Sequence, residues 1–219
     1  EAQALYVSLG NVINKLSAST LQEMGVLAQC HVNIMQLQDK VELGNYQSEL
    51  KFLLEDDKRL TKICMMLEKI KETGNTLILV DRVAAGREIQ TRLSEAFTKA
   101  RLDYEVSFVS GGTDMTERKE QYDEVATATN KVIVATYGVA AVGINIPRIF
   151  NLVLVEPGKS FVRVIQSIGR GIRKAEDKDH VQIWDITSSC KFAKRHLTQR
   201  KAFYKEANYP FSVEKIDYK

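Results

Sequence analysis

The sequence is poor in the residues that staple or ligate. Its 219 residues hold three cysteines, three prolines, three histidines and one tryptophan. Cys30, Cys64 and Cys190 form no CxxC pair and are odd in number. That argues against a disulfide framework and for buried thiols in a reducing, cytoplasmic compartment. His31, His180 and His196 lie far apart without metal-ligand spacing, so no metal site is expected. No apolar run approaches the ~18 residues of a membrane helix, which leaves no place for a membrane partner. Repeats and low-complexity stretches are absent. Neither an initiator Met nor a signal peptide opens the chain at Glu1, and it reads as an excised piece.

What is present bounds the fold. The content is 44% hydrophobic and 27% charged, which excludes disorder, and the length suits one good core. Lys and Arg number 31 against 28 Asp and Glu, a net charge of +3 that hides an asymmetry. From residue 191 onward there are eight basic and three acidic residues, leaving 23 basic and 25 acidic ones before it. A basic tail of this size fits an anionic partner or a merely solvated face.

Apolar strand-like runs recur at Thr76–Val80, Tyr104–Val109, Lys131–Thr136, Asn151–Val155 and Val181–Ile186. Amphipathic patterns lie between them. Asp57–Glu72 sets Leu60, Ile63, Cys64, Leu67 and Ile70 on one helical face, with Gly74 as a stop. Arg87–Ala100 does the same with Ile89, Leu93, Ala96, Phe97 and Ala100. Continuous apolar strands alternating with such helices predict an α/β fold: a parallel sheet with helices on both faces.

Three regions are expected. Residues 1–45 read as a connecting segment without a core of its own: Ser19–Gln22 resembles a capping box, and Cys30–Gln38 an extended stretch. Residues 46–190 carry the α/β alternation. Residues 191–219 read as a basic helix and tail with Phe192, His196, Phe203 and Ala207 on one side. Interleaved aromatic and basic residues suit base stacking, but this spacing favours a terminal helix docked on the body.

Ligands of open parallel sheets bind beyond the carboxyl ends of the strands. Those ends carry Asp81-Arg82, Ser110-Gly111-Gly112, Thr136-Tyr137-Gly138, Glu156-Pro157-Gly158 and Asp185-Ile186-Thr187. Seven of the twelve glycines fall between Gly111 and Gly171, where they serve either βα turns or the approach of a phosphate to backbone N–H groups. In the stretch 161–173, a helical projection puts Arg163, Gln166, Arg170 and Arg173 within roughly 80° of one another. Phe161, Val164, Ile165, Ile168 and Ile172 take the other side. Such a stripe is ordinarily a solvated face. Two glycines inside it, each costing on the order of 1 kcal/mol against Ala, point instead to something approaching the backbone closely. Arginine forks there suit a triphosphate or a nucleic-acid phosphate.

Gly158-Lys159-Ser160 has the look of a phosphate-binding P-loop end, but Val153 occupies the position that needs glycine. No DExD or DExH sequence occurs either, so both the phosphate cradle and the Mg²⁺ carboxylate of NTP hydrolysis are missing from these residues.

Together, residues 75–187 resemble the C-terminal RecA-like domain of superfamily 2 helicases. Val132–Pro147 (VIVATYGVAAVGINIP) is similar to motif V, and Gln166–Arg173 (QSIGRGIR) matches the motif VI pattern QxxGRxxR. About 20 residues separate them. Thr76–Arg82 stands at motif IV, and Ser110-Gly111-Gly112 with Arg118 resembles the phosphate-contacting turn after it. The leader, Ala4–Asn11 and Leu21–Leu27, resembles the exit from the first motor domain of phage helicases of the UvsW type. Motifs I, Ia, II and III are lacking, and Asn145 replaces the Asp common in motif V.

The resemblance implies a RecA-like sheet without its own P-loop, acting on DNA (single-stranded or branched) or on an RNA–DNA hybrid, in host cytoplasm or nucleoid if phage-encoded. Arg170 and Arg173 would be arginine fingers, and Gln166 a sensor of the nucleotide or of the attacking water. Gly143, Asn145 and Gly169 would line the ATP cleft. Arg82, Ser110, Gly111, Gly112 and Thr136 would hold the nucleic-acid backbone. ATP with Mg²⁺ would be held mainly by an N-terminal RecA-like domain, so these residues alone are expected to be inactive. A restriction-type translocase, an RNA helicase and a non-enzymatic nucleic-acid-binding module are the other readings. A Rossmann-type enzyme is disfavoured, because no GxGxxG follows the first strand.

Overall fold

The computed structural model describes residues 29–70, 75–111, 131–141, 149–158, 161, 164–165 and 180–218. Among them the strands are β1 (Gln29–Leu37), β2 (Thr76–Val80), β3 (Glu105–Val109), β4 (Lys131–Thr136), β5 (Asn151–Val155), β6 (His180–Ser188) and β7 (Phe211–Ile216). The helices are α1 (Tyr46–Glu55), α2 (Asp57–Ile70), α3 (Val83–Lys99), α4 (Tyr137–Ala141) and α5 (Lys191–Glu206). All seven strands join one sheet in the order β3-β4-β2-β5-β6-β1-β7, and every pairing is parallel.

Strand burial follows from helices on both sides. Every residue of β2 and of β5 is buried, and successive side chains serve opposite faces. Leu77, Leu79, Leu152 and Leu154 pack with Phe161, Leu197, Phe203 and Tyr204. Ile78, Val80, Val153 and Val155 pack with Leu54, Ile63, Leu67, Ile89 and Phe97. Thus α1, α2 and α3 cover one face, and α5 with the residues around Phe161 covers the other. Each large apolar side chain buried in this way contributes roughly 1.5–3 kcal/mol.

Four of the five expected strands begin and end within one residue of their predicted limits; β6 runs two residues beyond Ile186. Helix α2 also follows its pattern, while Gly74, its expected stop, lies outside the described residues. Two regions differ from expectation. The Cys30–Gln38 stretch is β1, embedded between β6 and β7 with Val32, Ile34 and Leu37 fully buried, so it belongs to the sheet and not to a connecting segment. Its alternation of polar and apolar residues conceals this burial. The tail likewise ends in an added strand, β7, whose residues are mostly exposed because it stands at the sheet edge. Helix α1 is a further addition, started by Asn45, whose side chain accepts a hydrogen bond from the Ser48 N–H at 2.9 Å. The capping box at Ser19–Gln22 and the leader segments lie outside the described residues.

Helix α5 docks on the body, as its spacing suggested. Ala193, Leu197, Arg200, Phe203 and Tyr204 are buried, and Phe192 and His196 lean edge-on against Tyr46 of α1, 5.9 and 5.6 Å between ring centroids.

The first turn of α3 approaches the sheet so closely that only glycine fits. A Cβ on Gly86 would lie 2.4 Å from a ring carbon of Phe108 and 3.1 Å from Val80. Phe108 is itself buried, with Arg87 above its ring at 4.8 Å. Gly86→Ala is therefore expected to destabilise the chain by about 1–3 kcal/mol, against the helix-propensity gain of ~1 kcal/mol. Urea denaturation measures it, and a variant as stable as the parent would show that the helix can move away.

Candidate functional site

The carboxyl ends of β3, β4 and β2 are neighbours, and they gather the expected backbone-binding residues on one edge. Because Val109 pairs with Ala135 and Val80 with Thr136, the next position of β3, Ser110, stands beside Thr136 and two strands from Val80. Those two strand steps span about 10 Å. Ser110 and Thr136 are buried, at 6% and 8% exposure, while Gly111 is exposed and has open space around it. Arg82, two residues beyond β2, reaches Glu55 at 3.7 Å and Gln47 at 3.5 Å, both on α1. A half-exposed ion pair of this kind is worth about 0–1 kcal/mol, so Arg82 can exchange it for a phosphate at little cost. Ser110, Thr136 and the backbone of Arg82 thus stand at adjacent strand ends.

The remaining candidates lie outside the described residues: Gln166, Arg170 and Arg173, the cleft residues Gly143, Asn145 and Gly169, and Gly112, Arg118 and Arg163. Lys159 and Ser160 of the rejected P-loop are also outside, whereas Val153, its disqualifying residue, is fully buried in β5. Among the described residues no group of three or more His, Cys, Asp or Glu side chains is arranged to hold a metal. Burial pushes the Cys64 thiol up to about 12, which makes it a poor nucleophile or ligand.

Sequence reasoning missed a pair of buried arginines that grip the corner after β5. Arg59 of α2 is fully buried. Its Nε donates to both Asp39 carboxylate oxygens (3.2 and 3.1 Å), its Nη1 to the Leu53 carbonyl (2.8 Å), and its Nη2 to Glu156 and the Thr187 carbonyl. Asp39 further accepts from the hydroxyls of Ser188 (2.6 Å) and Tyr218. Arg200 of α5 forks onto Asp185 at 2.8 and 3.0 Å and donates its third nitrogen to the Pro157 carbonyl at 2.9 Å. Tyr204 completes that group with a 2.7 Å bond to Asp185. Glu156 and Pro157 are thus held from opposite faces of the sheet. The hold matters because Glu156 has a φ of 47°, a left-handed conformation that side chains other than glycine adopt at a cost. Phe161, which follows, is buried edge-on against Phe203 and Tyr204 at 5.4 and 5.5 Å. The corner therefore fixes where the chain leaves β5 toward the QxxGRxxR stretch. An Arg at position 59, inside an otherwise regular apolar stripe, was the one signal that could have revealed it.

A comparison with known proteins places this architecture. The model of the helicase conserved C-terminal domain matches residues 58–175, more than half of the chain, and the chain belongs to that family. It is the C-terminal RecA-like domain of a superfamily 2 helicase. Over 212 residues it is 26% identical to the ATP-dependent DNA helicase uvsW of Enterobacteria phage T4, covering 93% of this chain and 41% of that protein. The crystal structure of T4 UvsW superposes with a TM-score of 0.72 at 22% identity, over 87% of this chain and 42% of that one. The C-terminal domain of the DEAD-box protein Dbp5 gives 0.57 at 18% identity, over 88% of this chain and 92% of that domain. The chain spans less than half the length of the phage helicase it matches.

Burial of Glu156 outweighs the pull of Arg59 and raises its carboxyl from the ordinary 4.5 to about 7. Between those values the folded chain holds a proton that the unfolded chain has released. The stability due to this group is therefore complete below pH 4.5 and is lost as pH rises through about 7. Glu156→Gln, which cannot ionise, should gain on the parent in urea midpoint from pH 5 to pH 8. A difference independent of pH would mean that the carboxyl is charged throughout.

Proposed function

We propose that this chain is the second motor domain of an ATP-dependent DNA helicase or translocase that acts in replication, recombination or repair. The observation that carries the reading is the order of motifs on the fold: QxxGRxxR follows the β5 corner inside the matched family region, and Arg82, Ser110 and Thr136 share the edge of the three neighbouring strands before it. Similarity to a phage helicase named as ATP-dependent and acting on DNA supports the nucleotide and the nucleic acid.

In this reading Arg170 and Arg173 project toward ATP bound on a first RecA-like domain and stabilise the charge that develops on the transferring phosphoryl group. Gln166 senses the nucleotide or orients the attacking water. Gly143, Asn145 and Gly169 complete the wall of the cleft. The 219 residues contain no Walker A sequence and no DExD/H carboxylate, so Mg²⁺ and the triphosphate are held by the first domain. Ser110, Gly111, Gly112, Thr136 and Arg82 grip the sugar–phosphate backbone. Contacts of that kind position the strand without reading its sequence. Closing and reopening of the two domains moves the strand stepwise.

Arg170→Ala and Arg173→Ala in the intact protein should each lower ATP turnover by about 10³–10⁵-fold while a fluorescent ATP analogue still binds. Normal turnover in both variants would refute the finger assignment. The 219-residue chain by itself should hydrolyse no ATP, and sustained turnover by it would disprove the need for a first domain. Strand displacement on forked, branched and RNA–DNA hybrid substrates distinguishes a helicase from a translocase that moves without unwinding.

A further inference from the structure

A second basic feature lies at the same sheet edge, several strands from Arg82. The loop after β1 and the first turns of α5 enclose a cleft of about 540 Å³. Its walls carry Lys191, Lys194 and Arg195, with Glu42, Ser189 and Thr198 as the other polar side chains. All three cations are exposed. The Nζ of Lys191 lies 5.6 Å from the centre of the Phe192 ring and the Arg195 guanidinium 5.3 Å from the same ring. None of the three forms an ion pair with a carboxylate among the described residues.

Several surface cations elsewhere are paired instead. Arg92 pairs with Asp57 and Glu88, Lys131 with Glu105, Lys40 with Asp217 and Arg82 with Glu55. Nor does the helix terminus itself supply the site. Its Phe192 and Ala193 N–H groups are already taken by the Glu49 carboxylate at 3.0 and 2.9 Å. What distinguishes the cleft is three like charges lining one concave surface, two of them against the same ring, opposed by one acidic side chain.

We propose that this cleft binds the phosphodiester backbone of the nucleic-acid strand held at Ser110, Thr136 and Arg82, as a second contact further along that strand; the proposal rests on the reading given under Proposed function. Charge and spacing identify the occupant. Lys191, Lys194 and Arg195 occupy positions i, i+3 and i+4 of α5, which spreads them over about 6 Å of helix axis. One strand of a duplex carries a charge about every 3.4 Å along its axis, so the three cations match about two consecutive phosphates and exceed the demand of one. The cleft opens beyond the carboxyl ends of β6 and β1, on the same edge as the carboxyl ends of β3, β4 and β2. From β3 to β6 is four strand steps, about 19 Å, a distance that a strand of several nucleotides covers.

The test is equilibrium binding of a 20-nucleotide single strand to the intact protein across a salt series. Lys191→Gln, Lys194→Gln and Arg195→Gln are combined in one variant, and Lys58→Gln, Lys62→Gln and Lys69→Gln on α2 are combined in a control of equal charge loss. The cleft variant should bind on the order of tenfold more weakly at low salt, and its slope of log K against log salt should fall by about 1.4. The control should keep the parental slope. An unchanged slope in the cleft variant overturns the proposal, as does an equal loss in the control. Lost affinity for a free nucleotide with strand binding intact also overturns it. Should the triple substitution lower the thermal midpoint, Lys194→Gln alone must still reduce the slope by about 0.7. If the parent binds no strand, the failure belongs to the proposed function. If the parent binds and the cleft variant matches it in affinity and slope, that function stands and the cleft proposal fails.

Discussion

Two buried guanidiniums hold the corner after β5 in place. Arg59 and Arg200 have lost all but a trace of solvent, and each recovers that loss through a carboxylate and several hydrogen bonds. Their attachment points are unusual. Arg59 grips the side chain of Glu156, and Arg200 the carbonyl of Pro157, so two adjacent residues are pulled from opposite faces of one sheet. Removing either cation would leave a carboxylate buried without compensation, a loss of roughly 3–5 kcal/mol.

The same arrangement joins parts of the chain that are remote in sequence. Asp39 follows β1, Arg59 lies in α2, Glu156 follows β5, Ser188 ends β6, and Tyr218 follows β7. Helix α5 contributes Arg200 to the corner and Phe203 and Tyr204 to the packing of Phe161. It is therefore a structural part of the domain on its inner side and a charged surface on its outer side. The two uses do not compete, because Ala193, Leu197 and Arg200 point inward while Lys191, Lys194 and Arg195 remain in solvent.

Much of the architecture was legible from periodicity. Continuous apolar runs such as Leu77–Val80 and Leu152–Val155 could belong only to strands buried on both faces, and the heptad-like spacing of Leu60, Ile63, Leu67 and Ile70 only to a covered helix. The edge residues Ser110, Thr136 and Arg82 were legible because topology puts strand ends together. What escaped was whatever depends on long-range pairing. β1 was legible as an extended stretch, but its alternation of polar and apolar residues gave no sign that it lies inside the sheet, and β7 buries little beyond Ile216. The charged network escaped for the same reason: Asp39 and Glu156 are 117 positions apart in the chain and meet only through Arg59.

The pairing of β1 with β7 has a consequence for synthesis and assembly. Residues 32–37 are flanked by a strand beginning at 180 on one side and a strand ending at 216 on the other. A chain emerging in order would display β1 with both backbone edges open until β6 arrives, and with one edge open until β7 does. Exposed strand edges invite pairing with other chains, and parallel pairing over such sequence distances forms slowly. Strand β7 thus acts as a closing cover, and a product stopped short of residue 211 would leave the backbone edge of β1 open.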